Sequence, residues 1–575
     1  MKILLIYPYW LDERKNIEDV VVPPIGIYYV GAVLKENNYD VEILNWHHIN
    51  MTPEKIPSIL REKKPDIIGF SILQANRWGG IEIAQVAKQI DPQVKVVFGG
   101  ISASFLWNHF LTHFPQIDFV VIGEGEHTFL NLVRCIERGE NGQIERIRGI
   151  AYRKNGKPFK AKPAEPIKNL DDLPIPSTYF EYTHLSLTRG CPGKCNFCGS
   201  PKFWGSKIRF HSTDYFVEEI ERLYKKGITF FYFSDDTFSI NKKRVVDICK
   251  KILKKNLRIS WVAISRVNYI NEDIVAWMRR AGCIQISYGV ESGSKQIRET
   301  LNKKIETSEI ESAFHITAKY GILARAYFIY GCPGENRQTI RATLNLIKSI
   351  KPLVVHFFVL SIFPGTMLYT AYKRAFKVTD DIWLNRMEDI KYFEIDSRLS
   401  QEMVQSFGKT LKHEYYQMLP EIVEAIELID KKEFYPLHAD FCSRLAMTFD
   451  HGDYANNDTI PKKDKIAASL YRKALAYHPD SRAYLGLGIY HQKNGDYQAS
   501  IKILSEGVGY FPRYEQLNLC LGVSYMNLAA YKEALSIFLK FQHSKQAIEL
   551  IIQCYRSLND LEKASNFEKK LEPSV

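Results

Sequence analysis

Short β-branched runs alternate with helix-period segments along the first two thirds of the chain. This alternation restricts the fold more than any other feature. Before residue 150 the runs are Ile3–Tyr7, Val41–Trp46, Asp66–Ile72, Val94–Phe98 and Phe119–Ile122, each bounded by Gly, Pro or Asp. Strands separated by helices pair in parallel, with helices covering both faces. The class expected is α/β, with a doubly wound, Rossmann-like parallel sheet over residues 1–150. Ligands of such sheets bind outside the carboxyl ends of the strands. Ser71, Gly99, Gly100, Gly123, Glu124 and Gly125 stand at those ends. Small residues there either let a backbone approach a large flat ligand or simply close tight turns.

Residues 151–184 hold five prolines (158, 163, 166, 174 and 176) and read as an extended linker. From Leu185 the alternation resumes, with strands expected at 185–189, 229–235, 258–266, 283–291, 322–331 and 353–362. Six such units over 185–369 imply a partial (β/α)6 TIM-type barrel, whose chemistry sits at the C-terminal strand ends. Those ends carry Asp235-Asp236, Ser265-Arg266, Glu291-Ser292-Gly293 and Gly331-Cys332-Pro333-Gly334-Glu335. Cys332 reads as a small buried hydrophobe, and Ser212 as the cap of the helix after it.

The first barrel strand runs into Thr188-Arg-Gly-Cys-Pro-Gly-Lys-Cys-Asn-Phe-Cys-Gly-Ser200, where Cys191, Cys195 and Cys198 follow a Cys-x3-Cys-x2-Cys spacing. Three thiolates so close together are metal ligands in a soft, all-sulfur shell. A zinc loop completed by His184 or His211, or a pair of unrelated buried thiols, is one reading; a four-iron four-sulfur cluster with one iron left open is the other. The loop resembles that of the radical S-adenosylmethionine enzymes, in which an aromatic residue, here Phe197, precedes the third cysteine. The resemblance implies that the cluster binds the methionine amine and carboxylate of S-adenosylmethionine and reduces it to a 5′-deoxyadenosyl radical. It also implies that Phe197, Asp235, Asp236, Arg266 and Glu291 contact S-adenosylmethionine. The polar members of that set have suitable chemistry, since an ammonium needs acceptors, a carboxylate needs a cation, and a ribose needs hydroxyl or carboxylate partners.

Pro23-Pro24-Ile25-Gly26, Pro65-Asp66-Ile67-Ile68-Gly69, Phe98-Gly99-Gly100 and Gly123-Glu124-Gly125-Glu126 together resemble the cobalamin-binding domain that precedes some radical enzymes. The resemblance implies that Ser71, Gly99, Gly100, Gly123, Glu124 and Gly125 line a cobalamin site. The Asp-x-His-x-x-Gly motif that supplies a lower histidine to cobalt elsewhere is absent. Pro8–Val22 contains no histidine, and His47 and His48 read as loop residues.

Residues 370–460 read as a helical extension, where the resemblance places substrate contacts. From 461 to 575 the positions Ala467, Tyr471, Ala474, Pro479, then Leu487-Gly488, Gly495-Asp496-Tyr497 and Pro512, then Leu521-Gly522, Tyr525, Tyr531, Ala534 and Phe538 are similar to tetratricopeptide repeats. Ten cysteines, seven of them scattered singly, are no secreted disulfide framework, so a reducing cytoplasm is expected. The apolar N-terminal stretch is too short for a signal peptide. The longest apolar run, Leu353–Phe363, is too short to span a bilayer. The formal charge of +12 is spread in short pairs without a basic stripe, so no nucleic acid is expected.

The function expected is C-methylation of an unactivated carbon through methylcobalamin. A radical cyclisation or rearrangement without methyl transfer is the alternative within enzymes, and a cobalamin- or metal-binding adaptor the alternative outside them. The partners expected are a small-molecule or peptide substrate, a reductant such as flavodoxin or ferredoxin, and a protein held by the repeats. No catalytic side chain is assigned.

Overall fold

The computed structural model describes residues 1–11, 23–205 and 207–571. Most of the loop expected to lack a histidine, from 12 to 22, therefore lies outside the described residues. The chain divides into two compact units, Met1–Phe314 with Ala324–Leu411, and His315–Leu323 with Lys412–Val575.

The first unit contains two main sheets. Strands β1 (Lys2–Tyr7), β2 (Asp40–Asn45), β3 (Ile67–Ser71), β4 (Lys95–Gly99) and β5 (Phe119–Val121) fall on the five runs expected from sequence. They pair in parallel in the order β2-β1-β3-β4-β5. Leu4, Ile6, Ile68, Val96, Phe98 and Val120 are fully or almost fully buried, because helices cover both faces. Each such side chain contributes about 1.5–3 kcal/mol.

The sheet does not stop at residue 150. Strands β6 (Ile150–Lys154) and β7 (Lys157–Lys160) add an antiparallel hairpin to its edge, so the expected linker begins only after Lys160. Asn155 and Gly156 both have positive φ (52° and 75°), the backbone of a tight two-residue hairpin turn. The Asn-Gly pair was the readable signal. Pro158 is tolerated because β7 is an edge strand.

The second sheet is built from β8 (His184–Leu185), β11 (Phe230–Phe233), β12 (Ser260–Ser265), β13 (Cys283–Glu291), β14 (Leu323–Tyr330) and β15 (Val354–Val359), ordered as in the sequence from one edge to the other. Between β8 and β11, β9 (Thr188–Arg189) pairs antiparallel with β10 (Arg209–Phe210), closing the stem of the cysteine loop. Ser212 caps the next helix by accepting from the Tyr215 N–H at 3.1 Å.

After β15, a second small ladder joins β16 (Ser361–Ile362) to β17 (Ile390–Lys391). The chain between them was expected to open a helical extension at 370. It is helical over Met367–Phe376, and its Tyr369 and Trp383 are buried in the core of the first sheet, with Phe98, Phe110 and Phe114. The buried Arg77 guanidinium donates to the carbonyls of Gln74 (3.0 Å), Glu388 (3.1 Å) and Met387. This segment thus belongs to the first sheet's core, which no local periodicity could reveal.

The second unit is helical. Helices Lys463–Tyr477, Ser481–Lys493, Tyr497–Tyr510, Glu515–Asn527, Tyr531–Phe538, Lys545–Ser557 and Leu561–Glu568 follow one another closely. A Cβ on Gly488 would come within 2.4 Å of Leu504, and one on Gly522 within 2.3 Å of Phe538. Both the glycines and their partners are 34 residues apart, so one close helix–helix contact is made twice. No helix among the described residues is long and apolar enough to cross a membrane.

Candidate functional site

A cavity of about 380 Å³, about 1570 Å³ with the open space at its mouth, lies between the C-terminal ends of β1, β3, β4 and β5 and those of β8 and β11. Ser71, Gly99, Gly100, Gly123, Glu124 and Gly125 all line it, as does Asp236. The opposite wall carries His184, Ser186, Thr188 and Arg189, with Phe203 and Trp204 from the short helix after Cys198.

The glycines serve two ends. A Cβ on Gly100 (φ 93°) would sit 2.9 Å from the Ile72 carbonyl oxygen, so the fold itself requires that glycine. A Cβ on Gly99 would meet nothing closer than 3.8 Å, and one on Gly26 or Gly123 nothing within 4 Å. At Gly26 a side chain would project into free space and at Gly99 it would make only ordinary van der Waals contacts, so this wall is a cradle of bare backbone that a flat macrocycle can approach. That geometry fits cobalamin.

Glu124 contributes differently from what its neighbours suggest. Its carboxylate accepts from Arg189 (2.6 Å), Arg209 (2.7 Å) and the Ile167 N–H (2.9 Å), and Glu126 accepts from Arg189 at 2.5 Å. Burial raises the Glu124 pKa, but the two guanidiniums outweigh it and hold the carboxyl below its usual range. Glu124 thus ties the first sheet to the stem of the cysteine loop. Sequence alone does not single out Arg189 and Arg209, since an arginine pair far along the chain from its carboxylate carries no local signal.

The thiols of Cys191, Cys195 and Cys198 are all free, and the loop turns through Gly190 at φ 113°. Among the described residues the three sulfurs are not gathered within 4.8 Å of one another, the spacing that one shared ion needs. His211 is engaged by Tyr29 (3.0 Å) and Asp171 (3.2 Å), and His184 by Ser234 (2.7 Å) and the Tyr232 ring. Three thiols without a fourth ligand fit a polynuclear cluster with an open metal better than a closed zinc site.

The residues expected around S-adenosylmethionine divide. Arg266 lies against the loop, its Nη1 3.9 Å from Cys195 Sγ and 2.8 Å from where a Cβ on Gly193 would sit. Glu291, held at φ 68°, accepts from Lys303 at 2.7 Å, and both side chains are only 7% exposed. So buried an ion pair is a poor source of stability on its own. Lys303 is a site neighbour that the sequence does not reveal. Asp236 is exposed at the cavity and accepts from Ser200.

Asp235 departs from expectation. Its Oδ1 accepts from both the N–H and the hydroxyl of Thr188 at 2.6 Å, and its Oδ2 from the Leu187 N–H at 3.3 Å. Burial pushes its carboxyl up to about 7. It is committed to the strand that launches the cysteine loop, which makes it a positioning residue. Phe197 packs with Ile297, Leu301, Leu360 and the fully buried Cys332. Glu335 closes the Gly331 turn by accepting from the N–H groups of Gly331 and Cys332, and burial raises its pKa to about 7.

Comparison with known proteins agrees with this layout. The Radical SAM superfamily model matches residues 185–347, and the B12 binding domain model matches residues 19–133. An uncharacterized methyltransferase of Pyrococcus horikoshii is 34% identical over 381 residues, 64% of this chain and 82% of that protein. The anaerobic magnesium-protoporphyrin IX monomethyl ester cyclase of Rubrivivax gelatinosus is 28% identical over 387 residues, 64% of this chain and 69% of that one. Among solved structures, the fold is similar to TsrM, a radical S-adenosylmethionine methyltransferase from Kitasatospora setae with cobalamin and a 4Fe-4S cluster bound. Its TM-score is 0.56 at 18% identity, over 65% of this chain and 78% of that one. The match to the Pyrococcus protein and the two domain models agree on one conclusion: this chain belongs to the cobalamin-binding radical S-adenosylmethionine methyltransferase family, whose cofactors are a four-iron four-sulfur cluster, S-adenosylmethionine and cobalamin.

Proposed function

We propose that this enzyme methylates an unactivated carbon of a small-molecule or peptide substrate, with Cys191, Cys195 and Cys198 holding the cluster and the glycine-rich wall receiving cobalamin. The observation that carries this reading is the single cavity shared by Ser71, Gly99, Gly100, Gly123, Gly125 and, from the other sheet, Ser186, Thr188, Arg189 and Asp236. Bound together, the cofactors supply a hydrogen-abstracting 5′-deoxyadenosyl radical and a transferable methyl group.

The chain's own residues do the rest. Gly26, Gly99 and Gly123 give close backbone approach to the corrin. Leu5, Val97, Val121, Phe203 and Trp204 make the walls apolar, which keeps water from a reactive radical. Arg266 offers a cation beside the loop for the methionine carboxylate. Glu291 offers an acceptor for an ammonium or a ribose, and Lys303 donates to it at 2.7 Å. Asp236 faces the cavity from the end of β11. With no Asp-x-His-x-x-Gly motif in the sequence, cobalamin is held by shape.

The second sheet is read as the partial barrel and the second unit as tetratricopeptide-like repeats. The 34-residue recurrence of the Gly488–Leu504 and Gly522–Phe538 contacts supports the latter. The domain reading becomes 1–160 for cobalamin, 185–369 for the radical core and 461–575 for the repeats, with a flavodoxin or ferredoxin as reductant and the cytoplasm as the compartment.

A second reading rests on the likeness to the magnesium-protoporphyrin cyclase: oxidative ring closure without methyl transfer. The test is anaerobic turnover of the cluster-loaded enzyme with methylcobalamin, a strong reductant and candidate substrates, measuring 5′-deoxyadenosine and S-adenosylhomocysteine together. Both products support methylation. Deoxyadenosine alone favours the cyclase reading, and neither product from an intact holoenzyme overturns both.

A further inference from the structure

Away from the cavity, the helix Trp107–His113 carries His109 and His113 one turn apart, a spacing that sets two imidazoles on one face. Beside them stands Asp381, in the short turn Asp380–Leu384. Asp381 Oδ1 lies 2.8 Å from His113 Nε2. The ligand atoms of His109, His113 and Asp381 all fall within 4.8 Å of one another, and no other three His, Cys, Asp or Glu side chains among the described residues gather as tightly.

His109 makes the cluster unusual. It is 3% exposed, and neither ring nitrogen has a hydrogen-bond partner. A neutral imidazole always has one N–H to donate and one lone pair to share. Burying both unused is unfavourable, and a metal ion relieves it by taking the lone pair. The surrounding rings, Phe110 and Phe114, cannot substitute. The neighbouring Asp380 is already committed to the Tyr369 hydroxyl and Lys373, both at 2.7 Å. Asp381 is exposed to solvent, so an ion has a way in.

We propose that His109, His113 and Asp381 form a structural site for one divalent ion of the zinc type, separate from the cysteine loop. Two imidazoles and a carboxylate are a donor set that zinc accepts, with water completing the shell. The site would pin the helix Trp107–His113 to the segment between β16 and β17, which already shares a core with it.

The test uses the full chain loaded with cluster and cobalamin. It is incubated with Zn2+, dialysed and analysed for metals, with affinity read by competition against a chromophoric zinc chelator. One zinc per chain is expected beyond the cluster iron, with affinity lowered about tenfold or more in His109→Gln and in Asp381→Asn. Asp381→Asn changes an exposed residue, so its iron and cobalamin contents should match the parent's. A triple Cys191, Cys195 and Cys198→Ala variant should keep its zinc, and zinc should raise the melting temperature of the parent but not of Asp381→Asn. No retained zinc, equal zinc in the parent and both single variants, or zinc lost only with the cysteines would overturn the proposal.

Discussion

The two walls of the cavity are built on different principles. On the first sheet the lining is mostly glycines and apolar side chains, and at Gly26 and Gly123 nothing lies within 4 Å of where a Cβ would be. On the second, Arg189 lines the cavity paired with Glu124 and Glu126, and other elements around the cysteine loop, outside the lining, hold further buried charge: Lys303 with Glu291, and Asp235 under Thr188. The first wall can select a partner by shape and tolerates loss of any one contact. The second arranges dipoles and charges in advance, so its function depends on single atoms. On the proposed reading this matches their ligands, since a corrin is wide and flat whereas the methionine end of S-adenosylmethionine is small and zwitterionic.

The largest expected effect tests the second wall. Cys198→Ala should remove the brown absorbance of the cluster and abolish formation of 5′-deoxyadenosine, with cobalamin still bound. If cleavage survived, the radical reading would have to be dropped. The complementary change on the first wall is Gly99→Val. A Cβ there would make only ordinary van der Waals contacts, at 3.8 Å or more, so the fold should hold while retained cobalamin falls about tenfold or more. Cluster iron should not change. Equal loss of both cofactors would erase the distinction between the walls.

A finer probe is Glu291→Gln, which keeps an acceptor for Lys303 but removes its charge. The KM for S-adenosylmethionine should rise about tenfold, roughly 1.4 kcal/mol, with cobalamin binding unchanged. An unchanged KM would reduce the Glu291–Lys303 pair to a structural bridge.

The effect least tied to either wall concerns stability. Glu219 is fully buried, its pKa is raised by burial to about 8, and the Tyr182 hydroxyl donates to it. A carboxyl whose folded pKa lies above its unfolded value binds more protons in the native state between the two. Stability should therefore fall as pH rises from about 4.5 to about 8, by at most about 1.4 kcal/mol per pH unit. Glu219→Gln should flatten that slope, as read from melting temperatures across the window. A slope identical in the parent and the variant would show that Glu219 is not the titrating group.

Alternation of strand and helix, glycine at strand ends and the cysteine spacing were enough to anticipate both parallel sheets, most of their strand ends to within a residue or two, and six residues that face the cavity from the first wall. These features are local: periodicity, backbone freedom and thiol spacing act over a few residues and can be read from them. Even the hairpin of β6 and β7 had its signal, the Asn155-Gly156 turn, inside a stretch whose prolines suggested a linker.

What the tertiary structure alone decided depends on partners far apart in the chain. Asp235 and Asp236 are adjacent and chemically identical, yet one is buried under Thr188 and the other faces the cavity. Lys303 meets Glu291, Arg189 meets Glu124, and the chain around Trp383 returns to the first sheet. His109 and Asp381 are 272 residues apart in sequence yet share one cluster. Burial and charge pairing act through space, and a side chain's chemistry does not state which of its possible partners the fold will bring to it.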